Sequence, residues 1–236
     1  MTPAHLALLL SLAATILLLM AGPGVRAGWW EFSTGFQILK WAAFTGIAGA
    51  LVALIMVAIP RVRRSGLPSL MFALVLGLAV AYVPWQGLRQ ARSVPPIHDI
   101  TTDTETPPEF VAVLPLRADA PNSTSYAGSE VAEAQLEAYP DIRPYIMSAP
   151  APIAFEQALE AAREMGWEIV AADPVAGRIE ATDTTFWFGF KDDVVVRVSQ
   201  EVEGTRIDVR SVSRVGKSDV GANAERIREY LDHLDG

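Results

Sequence analysis

Hydrophobic and polar positions follow two different rules that meet near Ser93. Before that point, three apolar stretches, about residues 4–21, 36–59 and 67–88, contain no acidic residue. A bilayer crossing takes about 20 apolar residues, so residues 1–92 are expected to form a three-span membrane anchor. Beyond Ser93 the pattern shortens. Ten prolines between Pro95 and Pro152 exclude long helices and central strands from residues 93–152. That segment reads as an extended arm with one short helical turn near Ser129–Ala138.

From Pro152 the apolar period becomes informative again. Ile153, Ala154, Ala158, Leu159 and Ala162 share a face of a helix reaching Met165, which Gly166 stops. Four strands follow: Trp167–Ala172, Arg178–Phe190, Val194–Val202 and Thr205–Arg214. Their expected turns are Asp173-Pro174 with Gly177, then Lys191-Asp192-Asp193, then Glu203-Gly204. Ser218 is placed to cap a last helix, Asp219–Leu234, whose stripe is Ala224, Ile227, Leu231 and Leu234. The expectation for 153–236 is an α+β domain: a four-stranded antiparallel meander with two helices on one face and the proline-rich arm added.

Charge separates the same two parts. Residues 1–92 carry seven Lys/Arg against Glu31 alone, whereas the remainder carries twelve against 26 Asp/Glu. Arg61, Arg63 and Arg64 lie in the short connection after the second span, and such clusters stay cytoplasmic. The expected topology puts the N-terminus in the cytoplasm and the acidic domain outside it, in the periplasm of a bacterial inner membrane. The first span is read either as a retained helix or as a signal cleaved near Val25-Arg26-Ala27. Lys40 is within a turn of its span's outer end and can snorkel beside Trp29, Trp30 and Trp41. An acidic domain excludes nucleic acid as a partner. The absence of cysteine excludes disulfides and thiolate zinc sites. Small residues recur at Ala42, Gly46 and Ala50 and at Ala73, Gly77 and Ala81. These faces suit either a membrane-protein partner or packing of the two spans on each other.

The strand period of two sorts the chemistry. Ile179, Ala181, Val194, Val196, Val198, Ile207 and Val209 face the helices, and Arg178, Arg197, Arg206, Arg210 and Arg214 face away, with Glu180 and Asp208 among them. This arginine face reads as a solvated ion-pair lattice or as an anion site. Lys217, Ser218, Asn223 and Arg226, at the strand-to-helix junction, are further candidates for anion or partner binding. Asp99, Asp103, Asp183 and Asp219 are motif carboxylates. His98 with Asp99 and Asp103 is a weak metal set, and Ser211 or Ser213 with Lys217 a weak nucleophile pair; no metal, cofactor or catalytic residue is assigned. Phe186, Trp187, Phe188 and Phe190 read as an aromatic strand that packs in the core, with Trp187 turned to the other side and able to stack on a ligand or an arginine.

Three runs carry a resemblance: PPIHDITTDTETPPEF (Pro95–Phe110), GRIEATDTTFWFGFKDDVVVRV (Gly177–Val198) and IDVRSVSRVGKSDVGANAERI (Ile207–Ile227). At this spacing the chain resembles the domain-of-unknown-function family 1499, which implies a domain of about 95–236 and one site shared by the three runs. Three function classes stay open. The first is a non-catalytic binding domain for an anionic small molecule or an acidic partner segment, using the arginine face. The second is a hydrolase or transferase acting there on an anionic envelope substrate. The third is a structural subunit of a membrane complex. A cleft at Arg210 and Arg214 would favour the first two, and an arm-covered face the third.

Overall fold

The computed structural model describes residues 3–202 and 204–235, so Glu203, expected in a turn, lies outside the described residues. The chain divides into two compact units. One runs to Gln90 and includes Phe186–Gly189; the other comprises Ala91–Thr185 and the chain from Phe190 onward.

The first unit holds α1 (Pro3–Arg26), α2 (Phe32–Val57) and α3 (Pro60–Ser93). All three are long and apolar enough to cross a membrane. α2 begins before its apolar stretch, at Phe32, and ends short of it, at Val57, whereas α1 and α3 extend past theirs, because backbone hydrogen bonds carry a helix on into polar sequence. Arg61, Arg63 and Arg64 therefore occupy the first turn of α3 and not a loop. Pro60 opens that turn, where its missing N–H costs nothing. The small-residue faces are used internally. A Cβ on Gly46 would stand 2.7 Å from the Gly77 carbonyl oxygen. The buried Ser11 Oγ donates to the Ala73 carbonyl at 2.8 Å. Ala42, Gly46 and Ala50 and then Ala73 and Gly77 are buried, which favours span-on-span packing over an external partner on these faces.

The second unit has six strands and not four. β3 (Glu168–Asp173), β4 (Arg178–Thr184), β5 (Lys191–Glu201) and β6 (Gly204–Ser213) form the expected antiparallel meander. The two additions come from the arm: β1 (Asp99–Thr101) and β2 (Tyr145–Met147) both pair with the outer side of β6. At three residues each, between prolines, they have too little alternation to register as strands. α4 (Ser129–Ala138) is the expected helical turn, and a 3₁₀ turn covers Leu114–Arg117.

One sheet face carries α5 (Ala151–Glu164) and α6 (Ala222–Leu234). Its core contains the expected Ile179, Ala181, Val194, Val196, Val198, Ile207 and Val209, packed with Phe155, Ala158, Ile227 and Tyr230. Trp167 stacks on Tyr230 at 5.0 Å, and the Tyr230 hydroxyl donates to the Ala158 carbonyl at 2.8 Å. Ile153, assigned to this face, is 53% exposed. Gly166 ends α5 at φ +74°, with the Trp167 N–H returning to the Ala162 carbonyl.

β4 stops at Thr184, so residues 186–190 are not an aromatic strand. Thr185 N–H donates to the Phe190 carbonyl at 2.8 Å, and Phe190 N–H returns to Thr185 Oγ1 at 2.9 Å, closing a turn whose Gly189 sits at φ +69°. Lys191, Asp192 and Asp193, expected to turn, are the first residues of β5. Phe186 is 84% exposed and outside any core. Aromatic residues favour strands, and here turn geometry overrides that preference.

α6 also begins later than expected. Its N-cap is Gly221 at φ +87°, preceded by Val220 at φ +59°. Ser218 Oγ accepts only the Val220 N–H, at 3.1 Å. Asp219 does the capping: its carboxylate takes the Gly221 N–H at 2.8 Å and the Asn223 N–H at 2.9 Å.

Candidate functional site

The strand register puts Arg178, Arg197, Arg206 and Arg210 on the face opposite α5 and α6, and Arg214, one residue past β6, reaches Asp193 on that face. Arg178 stands opposite Arg197, and Arg197 opposite Asp208. The arm lies over this face and brings acids to it. Phe110 and Val113 from the arm bury Val195 and Val212 in a second, smaller core.

Arg210 is the most enclosed. Nε and Nη2 bind Asp99 at 2.9 and 2.7 Å, Nη1 donates to the Pro108 carbonyl, and Nη2 also donates to the Thr124 carbonyl. Its guanidinium lies between the Phe110 and Tyr126 rings, 5.3 and 5.4 Å away. Burial, with the Asp99 charge adding to it, pushes the Tyr126 hydroxyl up to about 12. Arg214 forks onto Asp193 at 2.9 and 2.8 Å. Arg117, which the sequence did not single out, joins the same carboxylate, and Thr182 Oγ1 donates to it at 2.6 Å. Burial alone would raise Asp193, but the bonds from Arg214, Thr182 and Arg117 outweigh it and hold the carboxyl below its usual range.

Arg197 and Arg206 share two acids. Each donates to Asp103 Oδ2 at 2.9 Å and to the fully buried Asp208. Asp103 also caps its own turn, accepting Glu105 N–H and the Thr106 N–H and hydroxyl. Burial opposes its charge, yet the Thr106 bonds, Arg197 and Glu105 together lower it.

The junction candidates belong to the opposite face. Arg226 binds Asp183 and Asp192 at 2.8 and 2.7 Å, and also Ser211 and Asn223. Asn223 in turn holds the His98 carbonyl and Ser213. The hydroxyls of Ser211 and Ser213 are thus bonded to Asn223 and not to Lys217, which is exposed. Asp219 fills the start of α6 with a carboxylate. Burial raises it, and its two backbone N–H bonds only partly offset that. An anion drawn to this helix end would meet that acid first. His98 Nδ1 lies 3.4 Å from the Lys217 carbonyl, and no metal-holding group of three His, Cys, Asp or Glu occurs among the described residues.

Glu180 is the other feature that sequence reasoning undervalued. Fully buried, it collects three consecutive N–H groups, from Val111, Ala112 and Val113, at 2.9–3.0 Å, and Arg178 Nε at 3.1 Å. A carboxylate of the sheet here plays the part of a bound anion in a backbone nest.

One stretch of the arginine face opens to solvent. A cleft of about 520 Å³ is lined by Arg178, Arg197, Val195 and the arm residues Glu105, Pro107, Pro108 and Glu109, among others. The two arginine side chains keep 31% and 33% exposure, against 3% for Arg210. Sequence reasoning thus assembled the face correctly, but most of its arginines are bound within the chain.

Three helices long and apolar enough to cross a membrane, together with an arm-wrapped α+β domain, define the class of protein and suggest membrane association. Residues 99–234 match the model of the family described as Protein of unknown function (DUF1499). The chain belongs to that family. No curated protein matches it.

Proposed function

We propose that the chain is an integral protein of a bacterial inner membrane, with a cytoplasmic N-terminus and a periplasmic, non-catalytic domain that takes an acidic group of a small molecule or partner segment in the Arg178–Arg197 cleft. The observation that carries the binding reading is the contrast in engagement. Arg178 makes a single ion pair, through Nε, and borders a cleft, whereas Arg210 and Arg214 are covered by the arm. An exposed guanidinium fork suits a carboxylate or phosphate. The anchor reading rests on three apolar helices and on the Arg61–Arg64 cluster at the start of α3. The covered Arg210–Arg214 stretch favours a second reading, a structural subunit of a membrane complex, in which the arginines only brace the arm.

Native mass spectrometry of the full chain purified in mild detergent tests the binding reading. The expected result is a co-purifying acidic species that is lost from Arg178→Ala and Arg197→Ala. Retention of that species by both variants sinks the cleft as its site. A reporter active only in the periplasm, fused after Gly236, should be active; activity of a cytoplasm-only reporter there would reverse the topology.

A further inference from the structure

The turn between β4 and β5 has a composition that an aqueous turn does not call for. Water-facing turns favour Gly, Asn, Asp and Ser. Here Thr184–Phe190 reads TTFWFGF, with four aromatics and no charge. Phe186 is 84% exposed. Phe186–Gly189 are part of the helical unit. Within that unit, Arg26 at the end of α1 donates to the Phe186 carbonyl at 2.7 Å, and the Phe188 ring lies 5.2 Å from that of Phe36 in the first turns of α2. Trp187 packs so closely on Gly22 that a Cβ there would collide with its indole. The connection between α1 and α2 also holds Trp29, 66% exposed, and Trp30. Tryptophan and tyrosine concentrate at this depth, where helices leave the hydrocarbon for the headgroups.

We infer that Phe186–Gly189 is a fourth membrane contact of this chain, a non-helical one, which seats the Phe186 ring at the boundary between lipid headgroups and acyl chains. The inference rests on the reading that the three helices cross a bilayer. The occupant is lipid because the tip's own side chains are uncharged, it is part of the unit that the bilayer would surround, and its most exposed side chain, Phe186, is a wholly apolar ring. Interfacial seating of this kind needs only shallow burial of an apolar face.

The chain has no cysteine, so single labelling sites can be introduced one at a time. Four variants of the full chain, Phe186→Cys, Val75→Cys, Val175→Cys and Val202→Cys, would carry a nitroxide in phosphatidylcholine vesicles. Accessibility to oxygen, which partitions into lipid, is compared with accessibility to a water-soluble nickel chelate. Val75 is 62% exposed on α3, and Val175 and Val202, fully exposed, occupy the β3–β4 and β5–β6 turns. The expected oxygen-to-nickel ratio is high at 75, low at 175 and 202, and at 186 several-fold above the two turns. A ratio at 186 equal to theirs, with 75 still high, overturns the tip contact while leaving the spans intact. A label at 186 shielded from both reagents also overturns it, since protein and not lipid would then cover the ring. A low ratio at 75 sinks the spanning reading and this inference with it.

Discussion

The helix-covered and arm-covered faces of the sheet are both buried, but by opposite chemistry. On the helix side, the core around Ile179, Val196 and Ile207 is excluded from water by α5 and α6. The core of that face depends on volume and shape, and its charged groups, Asp183, Asp192 and Asp219 around Arg226, are confined to the junction with α6. On the arm side, Arg210, Arg214, Arg197 and Arg206 meet Asp99, Asp193, Asp103 and Asp208, and the covering layer is a proline-rich chain whose regular elements are short. An arm with little regular structure of its own is held by charge-assisted bonds at many points. The comparison teaches that an arginine-rich face is not by itself a binding face. What matters is how many of its forks the protein has already filled.

Removing Arg210 should break the comparison most severely. Arg210→Ala leaves Asp99 buried without its partner and is expected to cost about 3–5 kcal/mol in urea denaturation. The double variant Arg210→Met with Asp99→Leu should recover much of that loss, because an apolar replacement of a buried pair is often close to neutral. A cost under about 1 kcal/mol for the single variant would show that the pair is solvated.

On the other face, Ile207→Ala should cost about 2–5 kcal/mol through lost burial and a residual cavity. That penalty should stay constant across acid titration. A penalty that shrank with acid would mean that the two faces are coupled.

The next effect is the acid limb itself. Asp103 and Asp193 have native values below the ordinary 3.8. A depressed carboxyl stabilises the fold fully above its unfolded value, and that contribution is lost as pH falls through the lowered native value. Stability measured from about pH 5 down to about pH 2 should therefore decline progressively, and Asp193→Asn should flatten the decline. An unchanged slope in that variant would assign acid sensitivity elsewhere.

Arg178→Ala should be the mildest. Its side chain is 31% exposed with one ion pair, so the stability loss should stay under about 1 kcal/mol while acidic-ligand capture disappears. A loss of several kcal/mol would place Arg178 with the braces and remove the distinction between cleft and lattice.

Much of the second unit was legible from sequence because its long elements have strong periods. Val194, Val196 and Val198 against Arg197 assign the faces of β5 without any structure. What failed was local or distant. β1 and β2 are too short to show alternation. Ser218 read as the cap and Asp219 as the first helical residue, but the positive φ of Val220 and Gly221 delays the helix and leaves the capping to Asp219. The FWFGF run satisfies strand propensity and is nevertheless a turn. The site was half legible. The arginine face follows from period two, but its partners Asp99 and Asp103 come from about a hundred residues upstream, through a segment with no periodic signal. Nothing in the arm's sequence says which forks it closes and which it leaves open.

Asp192 and Asp193 stand side by side at the start of β5 and point through opposite faces, Asp192 to Arg226 and Asp193 to Arg214 and Arg117. A slip of β5 by one residue would exchange the two faces. Each carboxylate would then lie against the wrong layer, buried and unpaired, at a penalty of several kcal/mol apiece. The neighbouring valines cannot discriminate so sharply, because Val194, Val195 and Val196 are interchangeable in size and polarity. The aspartate pair therefore acts as a proofreading key: an almost uniform valine strand accepts only one alignment because two adjacent charges each fit only their own side.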